Sequence, residues 1–556
     1  MSGESMILAF EFNYVSHNGI LENLLKEIAS DCAILHKIIR KESIVTLCVE
    51  ADETTLGTFA DTLSASLPLS IFFKSSSVEV VDAMPNEAEV LPSLSYNAEF
   101  TPKNLASVDS PSSPHYLSPI LGEKELHVSL FHDEKELLHV NTSAGYETLY
   151  SNVAELISSG ENVSIQTKNG SFVFGKIENS TECKAFEVVA TDLSVVERMV
   201  VCRENEIKAL ASLERPAIRF KVNALFAQKG IITQSRVTLR LADDLFLYQL
   251  SKHLFAKGIQ FLFKASSCKA TYRVSVSVTQ NALEPLLISV LENGAILILK
   301  GSDYASTALK TSLKKFEEPS HAAFASIMQE HQLFDATSSC FYFSTLHNDR
   351  MMHYSKEHGM LNLVEILLPI SFTELFAEVE RSSESAERLV AHYKEQFPEI
   401  YAKAVAIKMP SDTPKSVYSL WKMMAIALGL SDDFERAGEQ LLENAEDFGG
   451  LKGPRIDYFL QKEDALSSDL DYVRMLRSGM SFKLAGTDNT TLSFGYMESL
   501  SYFISDLADA HKENLMSTKI ALCGSLFGYK RFSEMIIKNL KPNHTICFNK
   551  ELPIDQ

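Results

Sequence analysis

The residues best placed to do chemistry are few. His347, Asp349, His353 and His358 cluster in LHNDRMMHYSKEH, residue types that a transition metal or a proton shuttle uses. The successive histidines are six and five residues apart. Neither spacing puts two imidazoles on one helix face, so the cluster reads as structural or solvated. A second candidate is IALCGSLFGYKRFSEMIIKNL, from Ile520. There a short apolar strand feeds Gly524 and then a helix, an arrangement whose backbone N–H groups can seat a phosphate. Most joints of this kind only turn the chain. No G-x-S-x-G, P-loop or H-E-x-x-H pattern occurs. The eight cysteines form no C-x-x-C pair, so no zinc ribbon is present. Scattered cysteines of this kind read as small buried hydrophobes.

Those residues need a scaffold. The chain has 556 residues, enough for three or four domains of ~100–200 residues. Hydrophobic residues make up 46% and charged residues 22%, with a net charge of −20. Such a balance argues against a nucleic-acid backbone or an anionic membrane as the main partner, since both reward clustered Lys and Arg. MSGESMILAFEFNYV has no basic leader region and no small-residue cleavage site, and no run of 18 uncharged apolar residues appears. A cytoplasmic protein without membrane insertion is expected.

Along the chain, strand-like MILAFEFNYV is followed by helical NGILENLLKEIAS, with Asn18 as a candidate cap. Strand-like AILHKIIRK and SIVTLCVEA, helical TTLGTFADTLSASL and strand-like SIFFKSSSVEVV complete the order βαββαβ, the ferredoxin-like split unit. Prolines 85, 92, 102, 111, 114 and 119 then mark a linker or irregular segment outside the core. Beyond it, ETLYSNVAELISSG reads as a helix stopped by Gly160, and NVSIQTKNGSFVFGKIE as a hairpin turning at Asn169-Gly170. VERMVVCRENEIKALASL reads as helical, and RPAIRFKV and RVTLRLA as strands. From about residue 275 helices dominate.

This order, with four sequence patches, resembles the HypF-type carbamoyltransferases, which mature nickel–iron hydrogenases. KAFEVVATDLSVVERMVVCRENEIKALASLERPAI, SHAAFASIMQEHQL, SVYSLWKMMAIALGLSDDFERAGEQLLENA and IALCGSLFGYKRFSEMIIKNL are similar to family segments and stand in the family's order. The resemblance implies an α/β and α+β multidomain protein. Residues 1–84 would be a ferredoxin-like, acylphosphatase-type domain, and 85–124 a Pro/Ser-rich linker in place of zinc ribbons. Residues 125–274 would be a YrdC-like α/β domain, and 275–556 a domain of the sugar-kinase/actin superfamily type.

The same resemblance locates the family's sites. Asn18 falls where the family carries an acyl-phosphate-binding arginine, and Tyr14 and Ser16 replace glycines of that cradle. A neutral amide does not replace a bidentate guanidinium. Of the family's K/R cluster only Lys184 remains. The two metal-binding histidine positions fall on Pro319 and Ala323, with His321 between them, and no metal site is expected. FSTLHND stands where the family has a glycine-rich phosphate loop. Glu435, Gly524 and Asp555 match remnants of a nucleotide site, so Lys184, Glu435 and Gly524 are the candidate cofactor-binding residues; no catalytic residue is assigned.

Coordinated loss of ligands on a retained scaffold implies an accessory or assembly protein of hydrogenase maturation, of the HydE type, with no cofactor. Its partners would be hydrogenase subunits or other maturation proteins. The alternative is an active carbamoyltransferase using ATP and carbamoyl phosphate to supply the cyanide-ligand precursor.

Overall fold

Phe10, Phe12 and Tyr14, alternate residues of the strand Met6–Tyr14, are buried, and so is Ala9. Phe10 meets Phe59 of the helix Glu53–Ser66 edge-on, with ring centroids 5.9 Å apart. That contact fixes the helix-facing side of a four-stranded antiparallel sheet. From one edge to the other its strands are Leu35–Lys41, Ile44–Ala51, Met6–Tyr14 and Phe73–Val81. The helices Ile20–Asp31 and Glu53–Ser66 complete the βαββαβ order. Asn18 is not the cap of the first helix. Gly19, at φ 80°, precedes Ile20, and the Asn18 side chain accepts from the Ile20 amide at 3.0 Å.

This computed structural model describes residues 5–86, 98–122, 126–277, 283–461 and 468–555. The chain forms two units, one of residues 1–290 with 300–306, the other of 291–299 with 307–556. The first continues beyond the small sheet into a mixed sheet that includes the strands Leu287–Val290 and Lys135–Val140. Leu287–Val290 pairs in parallel with Ala217–Val222, so this unit extends past residue 274. Helices Ser143–Ser159 and Leu245–Ala256 share one core, holding Tyr150, Val153, Phe246 and Leu250.

Four sequence expectations change here. The proline-rich segment is more than a linker. Residues 87–97 and 123–125 lie outside the described part, but Pro102–Asp109 is a helix, and Phe100, Val108 and Leu117 are buried. Helical VERMVVCRENEIKALASL is interrupted by Val200–Val201, which pairs with Val222 and Lys221. Two adjacent β-branched residues favour that edge pairing over a helical turn. The hairpin turns one residue earlier than expected, at Lys168-Asn169, because Thr167 pairs with Gly170. Finally, Cys183 and Cys268 are not scattered but lie side by side, their Cα atoms 5.4 Å apart across 85 residues. Cys48, Cys340, Cys523 and Cys547 are buried, as expected for small hydrophobes, whereas Cys32 is exposed and Cys202 half-buried, against that expectation.

The second unit is built on a six-stranded sheet. Its centre is the parallel pair Ser338–Tyr342 and Lys519–Cys523, flanked by Arg350–Ser355 and Thr545–Cys547. The helix Pro319–Glu330 lays Phe324, Ile327 and Met328 on this sheet, against Cys340, Tyr342 and Cys523. Their i, i+3, i+4 spacing makes that face. A larger core around Trp421, Leu441, Tyr496 and Phe527 is formed with the remaining helices, among them the long Asn489–Leu515.

His511 is fully buried against Phe341, their rings stacked 5.7 Å apart, and neither ring nitrogen has a hydrogen-bond partner. Burial first, then His353 and His544 nearby, lowers its pKa to about 4. An unfolded histidine titrates near ~6.5. The unfolded chain therefore gains a proton first, and stability is lost as pH falls from about 6.5 to about 4. His511→Phe should flatten this acid limb, on the order of 3 kcal/mol at pH 4, in urea unfolding across pH.

Candidate functional site

The strands Ser338–Tyr342 and Lys519–Cys523 are parallel and end side by side. Backbone bonds continue beyond them: the Phe343 amide donates to Cys523 O at 3.0 Å and the Leu526 amide to Phe343 O at 3.0 Å. Gly524, at φ 99°, sits in the crossing. A Cβ there would overlap the Phe343 carbonyl, so glycine is demanded by close approach as well as by φ. A 3₁₀ turn, Ser525–Gly528, and the helix Lys530–Leu540 follow.

Asp555 closes the mouth of this joint. Its carboxylate accepts from the Ser344 hydroxyl at 2.6 Å, from the Ser525 amide at 2.9 Å, and from the Tyr342 hydroxyl. Ser344 Oγ in turn accepts from the Leu346 and His347 amides, each at 3.0 Å. The Thr345 amide donates to Ser525 Oγ at 2.9 Å. These amides point inward as they would toward an anion, but each already meets a side-chain oxygen of this chain. Asp349 braces the loop from behind, accepting from the Ser344 amide at 2.8 Å and the Val417 amide at 2.6 Å. Burial holds its carboxyl well above the usual range, and the Asp555 charge adds to that; the two amide bonds act the other way.

The histidine cluster disperses. His353 is buried in the sheet, while His358 is exposed next to its hairpin turn. His321 pairs with Glu318 at 3.2 Å, Pro319 is the first residue of its helix and Ala323 is buried. Among the described residues no group of three or more His, Cys, Asp or Glu could hold a metal ion. Glu435 stands in the first turn of the helix Phe434–Asp447 and faces Lys422 at 3.6 Å. It does not join the hydrogen-bonded network around Gly524. Lys184 belongs to the first unit and is exposed beside Cys183.

Two further clusters were not foreseen from the sequence. A guanidinium does reach the start of the first helix, but it comes from Arg40. It binds Glu22 at 2.6 Å and the Tyr14 carbonyl at 2.8 Å. The cradle residue Ser16 is buried, its hydroxyl donating to Tyr304 O at 2.6 Å. In the same unit Lys168, Arg240 and Lys264 gather on carboxylates. Asp243 takes Arg240 at 2.7 Å and Lys264 at 3.3 Å, and Lys168 takes Glu99 at 2.7 Å. Burial would raise the Asp243 pKa, but Lys264 and Arg240 outweigh it and keep the carboxylate ionised. Asp244, which caps the helix Leu245–Ala256, is pushed up to about 7 by burial and by Asp243. A lone Lys or Arg carries no periodic signal, so only its pairing with distant acids reveals such a cluster.

No protein-family model matches the chain. Protein HydE of Wolinella succinogenes is 26% identical over 580 residues, spanning 99% of this chain and all of that protein. Two solved structures share the fold. Full-length HypF in its phosphate- and nucleotide-bound form gives a TM-score of 0.64 at 14% identity, covering 100% of this chain and 97% of that one. HypF of T. kodakarensis gives 0.68 at 11%, covering 99% and 96%. The chain is therefore an end-to-end relative of HydE on the fold of HypF. Among the described residues no helix is long and apolar enough to cross a membrane.

Removing one partner from a buried ionic cluster leaves uncompensated charge, at a cost of ~3–5 kcal/mol. Asp243→Ala should lower stability by that order, whereas Lys184→Ala, at an exposed site, should stay within about 0.5 kcal/mol. Gly524→Ala should cost at least ~2 kcal/mol. Thermal unfolding followed by circular dichroism measures all three.

Proposed function

We propose that this HydE relative on a HypF fold is an accessory protein in nickel–iron hydrogenase maturation, acting by binding and assembly. In this reading residues 1–84 are the acylphosphatase-type domain, the YrdC-like domain begins at 125 and runs past 274 to the end of the first unit, and the second unit is the kinase-like domain. Each has exchanged its ligand-binding groups for internal contacts. The observation that carries the reading is the joint at Gly524. The Ser344, Ser525 and Asp555 side chains there take the inward-facing amides that a nucleotide phosphate would use. The Arg40–Glu22 pair at the acylphosphatase cradle supports it in the same way, since a guanidinium held by a carboxylate 2.6 Å away is not presented to an acyl phosphate.

An assembly protein needs surface and rigidity, and its activity should follow folding rather than any single polar side chain. Its partners are hydrogenase subunits or other maturation proteins, its place is the cytoplasm, and it uses no cofactor. At −20 the chain suits partners with basic patches, where complementary charge speeds encounter and sets register. The alternative, an ATP- and carbamoyl-phosphate-dependent carbamoyltransferase, draws on Lys184, Glu435, Gly524 and Asp555. It requires Asp555 and Ser344 to move before phosphate enters.

Deleting the gene should leave hydrogenase subunits made but poorly assembled, with hydrogen-dependent dye reduction reduced. Lys184→Ala and Glu435→Ala should restore that activity. Phe324→Asp should not, because it buries an unpaired charge in the core. Normal dye reduction in the deletion strain would remove the maturation role. Carbamoyl-phosphate-dependent ATP turnover by the purified protein, lost in Glu435→Ala while the fold is kept, would establish the carbamoyltransferase instead.

A further inference from the structure

The helix Asn489–Leu515 and the segment 455–460 enclose a cleft of about 330 Å³ that shares no lining residue with the Gly524 joint. Its floor is aromatic. Tyr458 and Phe503 lie 6.0 Å apart, ring to ring, and both are buried. At its mouth Phe459 and Tyr502 stand 43% and 46% exposed, so two large rings remain half in water. Two carboxylates share the lining, Asp457 and Asp506. Neither makes a side-chain hydrogen bond or an ion pair within 4.0 Å to a described residue. Among the described residues the one cation in the lining is Arg455, which partly offsets the Asp506 charge. Arg474 already covers the Phe459 ring at 4.9 Å, and its own partner is Asp471 at 3.2 Å.

Such a volume sits at the low end of ligand sites, ~300–1,000 Å³, and holds one or two side chains rather than a domain. Half-exposed rings take the hydrocarbon stem of a long side chain and, by their faces, its cationic head. Among the described lining residues two carboxylates stand against one arginine, and on a chain of net charge −20 that balance selects a cation over an anion. We propose that this cleft docks a basic segment of a partner protein, an Arg or Lys side chain flanked by apolar residues. That the occupant is a protein rests on the assembly reading; the preference for a cation rests on the cleft alone.

The molecule carries its own reporter. Trp421 is the only tryptophan, and its indole N–H donates to the Tyr458 hydroxyl at 2.7 Å. Occupation of the cleft floor should alter Trp421 emission. The test titrates the full-length protein with a short acetylated peptide of alternating Leu and Arg, with a Leu–Glu peptide and free L-arginine as comparisons. Saturable change is expected with the Leu–Arg peptide only, weakened about tenfold, or ~1.4 kcal/mol, in Tyr502→Ala and in the double variant Asp457→Asn, Asp506→Asn. Circular dichroism checks that these surface variants fold. Absence of a saturable change, equal binding of the Leu–Glu peptide, or binding unaffected by the variants would overturn the proposal. So would free arginine matching the peptide, which would make this a small-amine site. Peptide binding retained in a protein whose deletion leaves hydrogenase activity normal would keep the docking site and remove the maturation role.

Discussion

The second unit depends on one close approach, the crossing of Gly524 over the Phe343 carbonyl. Because no side chain fits between them, the strands Ser338–Tyr342 and Lys519–Cys523 stay in register to their ends, and the Phe343 and Leu526 amides close the ladder beyond them. That register places Tyr342, Ser344 and Ser525 around Asp555. It also places the apolar side of the sheet beneath the helix Pro319–Glu330. Packing and polar closure are therefore two results of one backbone contact.

The two units solve the same problem alike. Arg40 is satisfied by Glu22, Lys264 and Arg240 by Asp243, and the loop amides after Tyr342 by Ser344, Ser525 and Asp555. Buried charges and amides need partners, and in each cluster this chain supplies partners of its own. An internal partner is always present and pays no association entropy, so an external anion has to displace it. Self-satisfaction of this kind favours a scaffold that keeps its shape when nothing is bound.

Much of the fold was legible because local periodicity carries it. Alternation in MILAFEFNYV marks a strand, and Phe324, Ile327 and Met328 mark a buried helix face. Gly160 stops its helix as expected, and does so in the left-handed conformation, at φ 103°. The failures share a cause. Val200–Val201 becomes a strand only because Val222 lies opposite, and Phe100 and Val108 are buried only because distant residues cover them. Arg40, Asp243 and Lys264 look like ordinary polar residues until their partners, up to 74 residues away, are in place. Gly524 and Asp555, singled out through resemblance, meet at the joint, while the bracing role of Asp349 was hidden behind its histidine neighbours.

The central parallel pair also has a consequence in time. Ser338 and its partner Lys519 are 181 positions apart (519 − 338). A ribosome adding about 5–20 residues per second takes about 10–40 s to deliver the second strand after the first. Over that interval Ser338–Tyr342, whose five residues are all buried in the finished sheet, has only its antiparallel neighbour Arg350–Ser355. Its other edge stays open to any extended chain nearby. In a crowded cell, the yield of this protein should therefore depend on how quickly elongation proceeds through the intervening helices and on chaperones that shield one apolar strand.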